Sequence, residues 1–209
     1  MTTDRRIVLH HAPNTRSTGT LILLEELAAD YELDVLDFKA GEHHSPEYLA
    51  INPMGKVPAI VHAGTVVTEQ VAIYLYLADL YADRGLAPQM GDALRGAYLR
   101  WLVFYGTCFE PAIIDRSQQR APAPASTSPY GDFDTLLGAL TARLEHGPNL
   151  LGETFTAADV LWGTALGWTT QWGLVPKTPV IERYVQAFDS RPAAIRVRAA
   201  DAELAARMV

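Results

Sequence analysis

Residues 52–60 read NPMGKVPAI and, after a short turn, residues 68–73 read TEQVAI. The proline decides the reading. A Val57-Pro58 bond set just before a short apolar strand leaves a main-chain amide and carbonyl open to an extended peptide, above all in the cis form. A helix then opens at Glu69. Helix N-termini attract carboxylates through their N–H groups and dipole, while the Glu69 side chain can take an ammonium group. That corner suits a peptide ligand carrying both charges. Each half alone is ordinary, since an acid in a first helical turn is routine capping. The order of the surrounding elements is what gives the pair weight.

Upstream, Ile7 to Leu9 is a buried-strand run, and Leu21, Leu24 and Ala28 then recur at helical spacing. Leu33 and Val35 alternate with Asp34 as a second strand, and the length of the crossover suits a parallel pair. Ser45-Pro46 supplies an N-cap and first helical residue for a short helix ending near Asn52-Pro53. Ala59 to Val61 and Val66-Val67 flank a turn containing Gly64, which reads as a hairpin, and Val71, Leu75 and Ala78 line the following helix. The order is βαβ, then ββα.

Between Tyr81 and Asp92 the pattern breaks at Arg84-Gly85 and Pro88, and all later periodicity is helical. The expected division is a first domain over 1–82, a linker over 83–92 and an all-helical domain over 93–209. Leu94, Ala97, Tyr98, Trp101, Leu102 and Tyr105 predict a long amphipathic helix stopped near Pro111. Residues 121–129, rich in Pro, Ala and Ser, read as a mobile loop before Phe133, Leu136, Leu137, Leu140 and Leu144 resume the helical period. In Phe155–Val160, Thr156 is an N-cap, Asp159 reaches back to it, and Phe155 with Val160 makes a hydrophobic staple.

Composition narrows the function. The chain has 209 residues, 49% hydrophobic and 20% charged, with a formal charge of −7, enough for two cores but wrong in sign for a nucleic-acid backbone as principal partner. The apolar run after MTTDRR is too early and brief for a signal peptide, and no segment approaches the ~20 apolar residues that cross a bilayer. A cytoplasmic protein is expected. The single cysteine, Cys108, excludes an internal disulfide and a two-cysteine redox motif. His10-His11 and His43-His44 invite a metal, yet adjacent strand histidines point to opposite faces and no acidic or thiol cluster completes a ligand set. No metal is expected.

With Val57-Pro58 ahead of a strand and Glu69 at a helix start, residues 1–82 resemble the thioredoxin-like domain of glutathione transferases. The resemblance extends over nearly the whole chain, through the Thr156–Asp159 capping box with its staple and Arg191-Pro192-Ala193 near the end. It implies an α/β plus all-α fold: an N-terminal thioredoxin-like domain with a mixed sheet, followed by an all-helical domain. It also implies glutathione as co-substrate. Lys56, Val57 and Pro58 would bind its glycyl and cysteinyl parts, and Glu69 with Gln70 its γ-glutamyl group. Family members carry Glu-Ser where this chain has Glu69-Gln70, so the Gln70 main-chain amide is the safer ligand.

The same resemblance places catalysis in Leu9–Ser17, LHHAPNTRS. A free thiol has a pKa of about 8.5, and lowering it by ~2 units takes about 2.7 kcal/mol. One hydroxyl hydrogen bond to sulfur plus a helix N-terminus supplies that amount. Thr15 falls two residues after Pro13, where several classes carry a catalytic Ser; classes using Tyr or Cys would place it near His10 or Arg16, and neither residue is there. Thr15, Ser17 and Asn14 are therefore the catalytic candidates, with Thr15 favoured by position. The electrophile would lie between this loop and the long helix, with His10, Ala12, Tyr105, Cys108 and Phe109 as walls. A homodimer is implied too, and Ile73, Tyr74, Leu77 and Tyr81 form a second apolar stripe beside Val71, Leu75 and Ala78. The expected activity is conjugation of glutathione to a partly apolar electrophile. The alternatives are a glutathione-dependent peroxidase or disulfide reductase, or a glutathione-binding protein without turnover.

Overall fold

The computed structural model describes residues 5–121 and 123–208. The parts of the N-terminal stretch and of the 121–129 loop that fall on residues 1–4 and on Pro122 lie outside the described residues. The chain forms two compact units, Met1–Gly85 with Arg191–Val209, and Leu86–Ser190.

In the first unit, β1 (Ile7–His11) leads through α1 (Ser17–Glu26) to β2 (Tyr31–Val35), which pairs with β1 in parallel, Leu9 opposite Leu33. A parallel pair needs a crossover between its strands, here carried by α1, whose Leu21–Leu24 are all buried. Ser45 caps the short α2 (Pro46–Leu49), its side chain accepting the Tyr48 N–H at 3.2 Å. β3 (Ala59–His62) and β4 (Thr65–Val67) form a hairpin across Ala63-Gly64, both at positive φ, and β3 runs antiparallel to β1. The sheet order is β2-β1-β3-β4, a mixed thioredoxin-like sheet. α3 (Gln70–Leu80) follows.

Two expectations for this unit are corrected. Ile73, Tyr74, Leu77 and Tyr81 form the buried stripe of α3, whereas Val71 and Leu75 are only half-buried. The two stripes adjoin on the helix surface, so periodicity alone does not say which one meets the sheet. The terminal helix α9 (Pro192–Arg207) also belongs here. Its Ala194, Val197 and Asp201 are buried at helical spacing, and Arg191 at its start makes a two-pronged ion pair with Glu26 at 2.7 Å on each arm.

The second unit is helical: α4 (Arg95–Phe104), α5 (Glu110–Ser117), α6 (Phe133–Glu145), α7 (Ala157–Gln171) and α8 (Pro179–Asp189). Pro111 does not stop the long helix as expected. A π-helical turn, Tyr105–Phe109, carries the chain from α4 into α5, so Pro111 sits in the first turn of α5, where its missing N–H costs nothing. The Asp159 carboxylate accepts the N–H groups of Thr156 at 2.9 Å and Leu150 at 2.8 Å, the Thr156 hydroxyl at 3.0 Å and the Tyr184 hydroxyl at 3.0 Å. Burial nevertheless holds this carboxyl above its ordinary range.

Candidate active site

β1 ends at His11, and the chain turns through Pro13–Arg16 before α1 begins at Ser17. Asn14 takes a left-handed conformation, φ 58°, which Asn tolerates better than most residues. Its side chain is exposed. The Thr15 Oγ1 accepts the Ser17 N–H at 3.2 Å and lies 2.7 Å from both the Ala12 carbonyl and the Ser17 Oγ. The amides of Thr18 and Gly19 bind the carbonyls of Thr15 and Arg16, each at 3.2 Å. The amides of Ser17, Thr18 and Gly19 are thus occupied within the loop, and the half-buried Thr15 hydroxyl lies nearer solvent than that of Ser17. Ser17 is fully buried. Its Oγ accepts the Ala12 N–H at 3.1 Å and meets His11 Nδ1 at 2.8 Å.

Behind Ser17 the polar chain continues. His11 Nε2 lies 2.8 Å from Asp201 Oδ1, and the Thr18 hydroxyl donates to Asp201 Oδ2. His11 is 0% and Asp201 4% exposed. Sequence reasoning missed both. His11 drew notice only as half of a histidine pair, and nothing in the terminal helix marks Asp201 as interior.

Tyr48 Oη and Asn52 Nδ2 both donate to the Lys56 carbonyl, at 2.5 and 2.7 Å, fixing the turn ahead of Val57. Burial pushes the Tyr48 hydroxyl up to about 12, so it stays a donor. The Val57-Pro58 bond is cis. Among the described residues no hydrogen bond uses the Val57 amide or carbonyl. Val57 packs in one apolar cluster with Ala12, Leu36 and Tyr48, which joins this segment to the Thr15 loop. Lys56 and Glu69 point outward. Glu69 adopts φ 64°, ψ 114° with no capping bond from its side chain. Such a backbone costs on the order of 1–3 kcal/mol and is typical of ligand clamps. The Gln70 side chain donates to the Arg16 carbonyl at 3.1 Å and so braces the turn between β1 and α1.

The expected pocket walls fare differently. His10 is 4% exposed, bonded to Asp34 at 2.7 Å and edge-on to Tyr48, and Ala12 is 2% exposed; both are core groups of the first unit. Tyr105 and Phe109 are buried against Trp162 within the second unit, Tyr105 also donating to Glu110. Their rings are occupied in packing. Cys108 is half-buried on the π-helical turn, with its thiol 3.4 Å from the Pro129 carbonyl. Among the described residues no three His, Cys, Asp or Glu side chains gather as a metal site. No helix among them is long and apolar enough to cross a membrane.

This geometry has known counterparts. Residues 6–79 match the family model for the glutathione S-transferase N-terminal domain. The chain is 31% identical over 201 residues to the disulfide-bond oxidoreductase YfcG of Escherichia coli (strain K12), covering 90% of this chain and 92% of that one. A crystal structure of a glutathione transferase from Methylococcus capsulatus superposes with a TM-score of 0.80 at 30% identity, covering 94% of this chain and 99% of that one. A sphingomonad glutathione S-transferase complexed with glutathione gives 0.77 at 30%, over 93% and 98%. On this model match and these likenesses over nearly the whole chain, the chain belongs to the glutathione transferase superfamily.

Proposed function

We propose that the protein binds reduced glutathione along Lys56-Val57-Pro58 and Glu69-Gln70, ionises its thiol at Thr15 and transfers the thiolate to an electrophilic carbon of a partly apolar small molecule. The observation that carries this reading is the Thr15 hydroxyl, half-buried in the turn between β1 and α1 with the neighbouring first-turn amides already bonded. A thiolate set there would accept the Thr15 hydroxyl, once turned outward, and meet the positive end of α1. The cysteinyl backbone would pair with Val57 as an added strand. Glu69 would take the γ-glutamyl ammonium, and the Gln70 amide the adjoining carboxylate. Asn14, exposed in the same turn, and Ser17 behind it complete the catalytic group. Incubation with glutathione and an electrophilic aryl halide should yield a thioether whose mass equals both parts less the halide acid. Absence of any conjugate with several electrophile classes would rule conjugation out.

The likeness to a disulfide-bond oxidoreductase favours a second reading on the same site. There the thiolate attacks a disulfide sulfur, a second glutathione completes the exchange, and oxidised glutathione accumulates. Product analysis separates the two. We also propose a cytoplasmic homodimer. Its support is an apolar groove of about 480 Å³ on the outer side of α3, lined by Val67, Ala72, Leu75, Tyr76, Asp79 and Leu80. A second copy covering that face would bury what the first unit's core leaves half-exposed. Light scattering at micromolar concentration should give twice the chain mass, and a monomer would refute the dimer.

A further inference from the structure

We infer that Thr15, Ser17, His11 and Asp201 form a buried proton relay that takes up the thiol proton of bound glutathione, with His11 as the group that keeps it. The inference rests on the reading that the glutathione sulfur meets Thr15. It goes further by naming where the proton goes.

The hydrogen-bond arithmetic leads there. The Asp201 carboxylate accepts from the Thr18 hydroxyl through one oxygen and meets His11 Nε2 through the other, so Nε2 carries hydrogen. Without ligand, His11 Nδ1 is then the acceptor for the Ser17 hydroxyl at 2.8 Å, and the Thr15 hydroxyl, 2.7 Å from Ser17 Oγ, donates to it in turn. Each hydroxyl has the Ala12 carbonyl as a second acceptor, at 2.7 Å for Thr15 and 3.1 Å for Ser17. All these donors point inward. A thiolate needs the Thr15 proton to point outward, at sulfur. For the chain to stay bonded, Ser17 must then donate to Thr15, and His11 Nδ1 must donate to Ser17. Nδ1 therefore has to gain a proton while Nε2 keeps its own.

One transfer accomplishes the whole reversal. The S–H bond breaks as its proton passes to Thr15 Oγ1, the Thr15 proton passes to Ser17 Oγ, and the Ser17 proton forms the new Nδ1–H bond. Both hydroxyls end with the hydrogen count they began with, no electrons change hands, and the products are a thiolate and an imidazolium. The imidazolium is buried beside the Asp201 carboxylate, the partner that a buried cation requires. α1 faces the ring with the Ser17 hydroxyl and Asp201 with that of Thr18, α9 faces the ring with Asp201, and β2 sets apolar Val35 opposite His11 in register. His11 and Asp201 act through Ser17 and Thr15 and are positioning residues.

The test counts protons. Glutathione is added near neutral pH while thiolate absorbance and an indicator dye are read together. The unaltered protein should form thiolate with little proton release. In His11→Gln and Asp201→Asn, release should rise to about one proton for each thiolate formed. A readout independent of variant folding is the imidazole ¹⁵N spectrum of the unaltered protein. Glutathione should convert one buried histidine from neutral to doubly protonated, whereas S-methylglutathione, which has no thiol proton, should not. Full proton release by the unaltered protein, or an unchanged imidazole spectrum alongside thiolate formation, would overturn the relay while leaving the thiolate site standing. Glutathione bound without any thiolate would overturn the Thr15 reading and the relay with it.

Discussion

Thr15→Val keeps the shape of the side chain and deletes its hydroxyl, which separates the chemistry of this position from its packing. A hydrogen bond to a charged acceptor contributes about 1.5–3 kcal/mol, and at about 1.4 kcal/mol per pK unit its loss should raise the bound thiol by about 1–2 units. The sign follows from what the donor favours: it stabilises the anion, so its removal favours the protonated thiol. If the site brings the thiol from about 8.5 to about 6.5, the thiolate share at pH 7 falls from about three quarters to between about a quarter and a few per cent. Turnover there should drop about three- to twenty-five-fold and recover towards pH 9, where the thiol ionises unaided. The structure adds a separate cost, because Thr15 Oγ1 also accepts the Ser17 N–H at 3.2 Å. Losing that acceptor should lower folding stability by about 1 kcal/mol, visible in denaturation and not in the thiol titration. Thr15→Ser should restore both. Glutathione affinity should change little, since Lys56–Pro58 and Glu69-Gln70 carry binding. The reasoning fails if Thr15→Val titrates as the parent does, or if Ser17→Ala, buried one bond further in, shifts the thiol more.

Glu69→Ala should weaken glutathione binding about ten- to a hundredfold by removing the partner of a charge-assisted contact, and unchanged calorimetric affinity in the folded variant would remove the assignment. Asp159→Ala should cost at least about 3 kcal/mol in chemical denaturation, since buried donors on Leu150, Thr156 and Tyr184 lose their acceptor together; a loss near 1 kcal/mol would mean that water replaces the carboxylate. Gly163→Ala would set its new carbon 2.3 Å from the Phe188 ring between α7 and α8, and a loss of about 1–3 kcal/mol, or a fall of several degrees in Tm, should follow.

The parts of this fold legible in sequence are those with a local cause. Val57-Pro58, the Ala63-Gly64 turn and Ser45-Pro46 each act on the backbone within a few residues, and the strands and helices around them lie where those signals place them. Pro111 shows the limit of that logic, for its effect on a helix depends on whether the preceding turn can widen, and Tyr105–Phe109 does. The packing of the aromatic side chains was illegible for another reason. Tyr105 and Phe109 share one helical stripe, and only the position of Trp162, far along the chain, decides that their rings are consumed in packing. Most opaque was the pairing of His11 with Asp201 across 190 residues. Asp201 sits in a run of alanine and charged residues that reads as a solvated helix, and it becomes interior only because α9 folds back onto α1.

That return raises a question of energetics. Ser17, His11 and Asp201 occupy an interface that small apolar side chains could fill, and burying polar groups is costly even when each is bonded. Much of α9 would be held without them, through the Arg191–Glu26 pair and the packing of Ala194 and Val197. Stability alone therefore does not account for the polar chain. What the chain does provide is a fixed orientation for one half-buried hydroxyl and a route from that hydroxyl to a group able to hold a proton, neither of which an apolar interface supplies. Its cost falls on the element furthest from β1 in sequence, so the last helix of the chain completes a site whose first residues lie in the first strand.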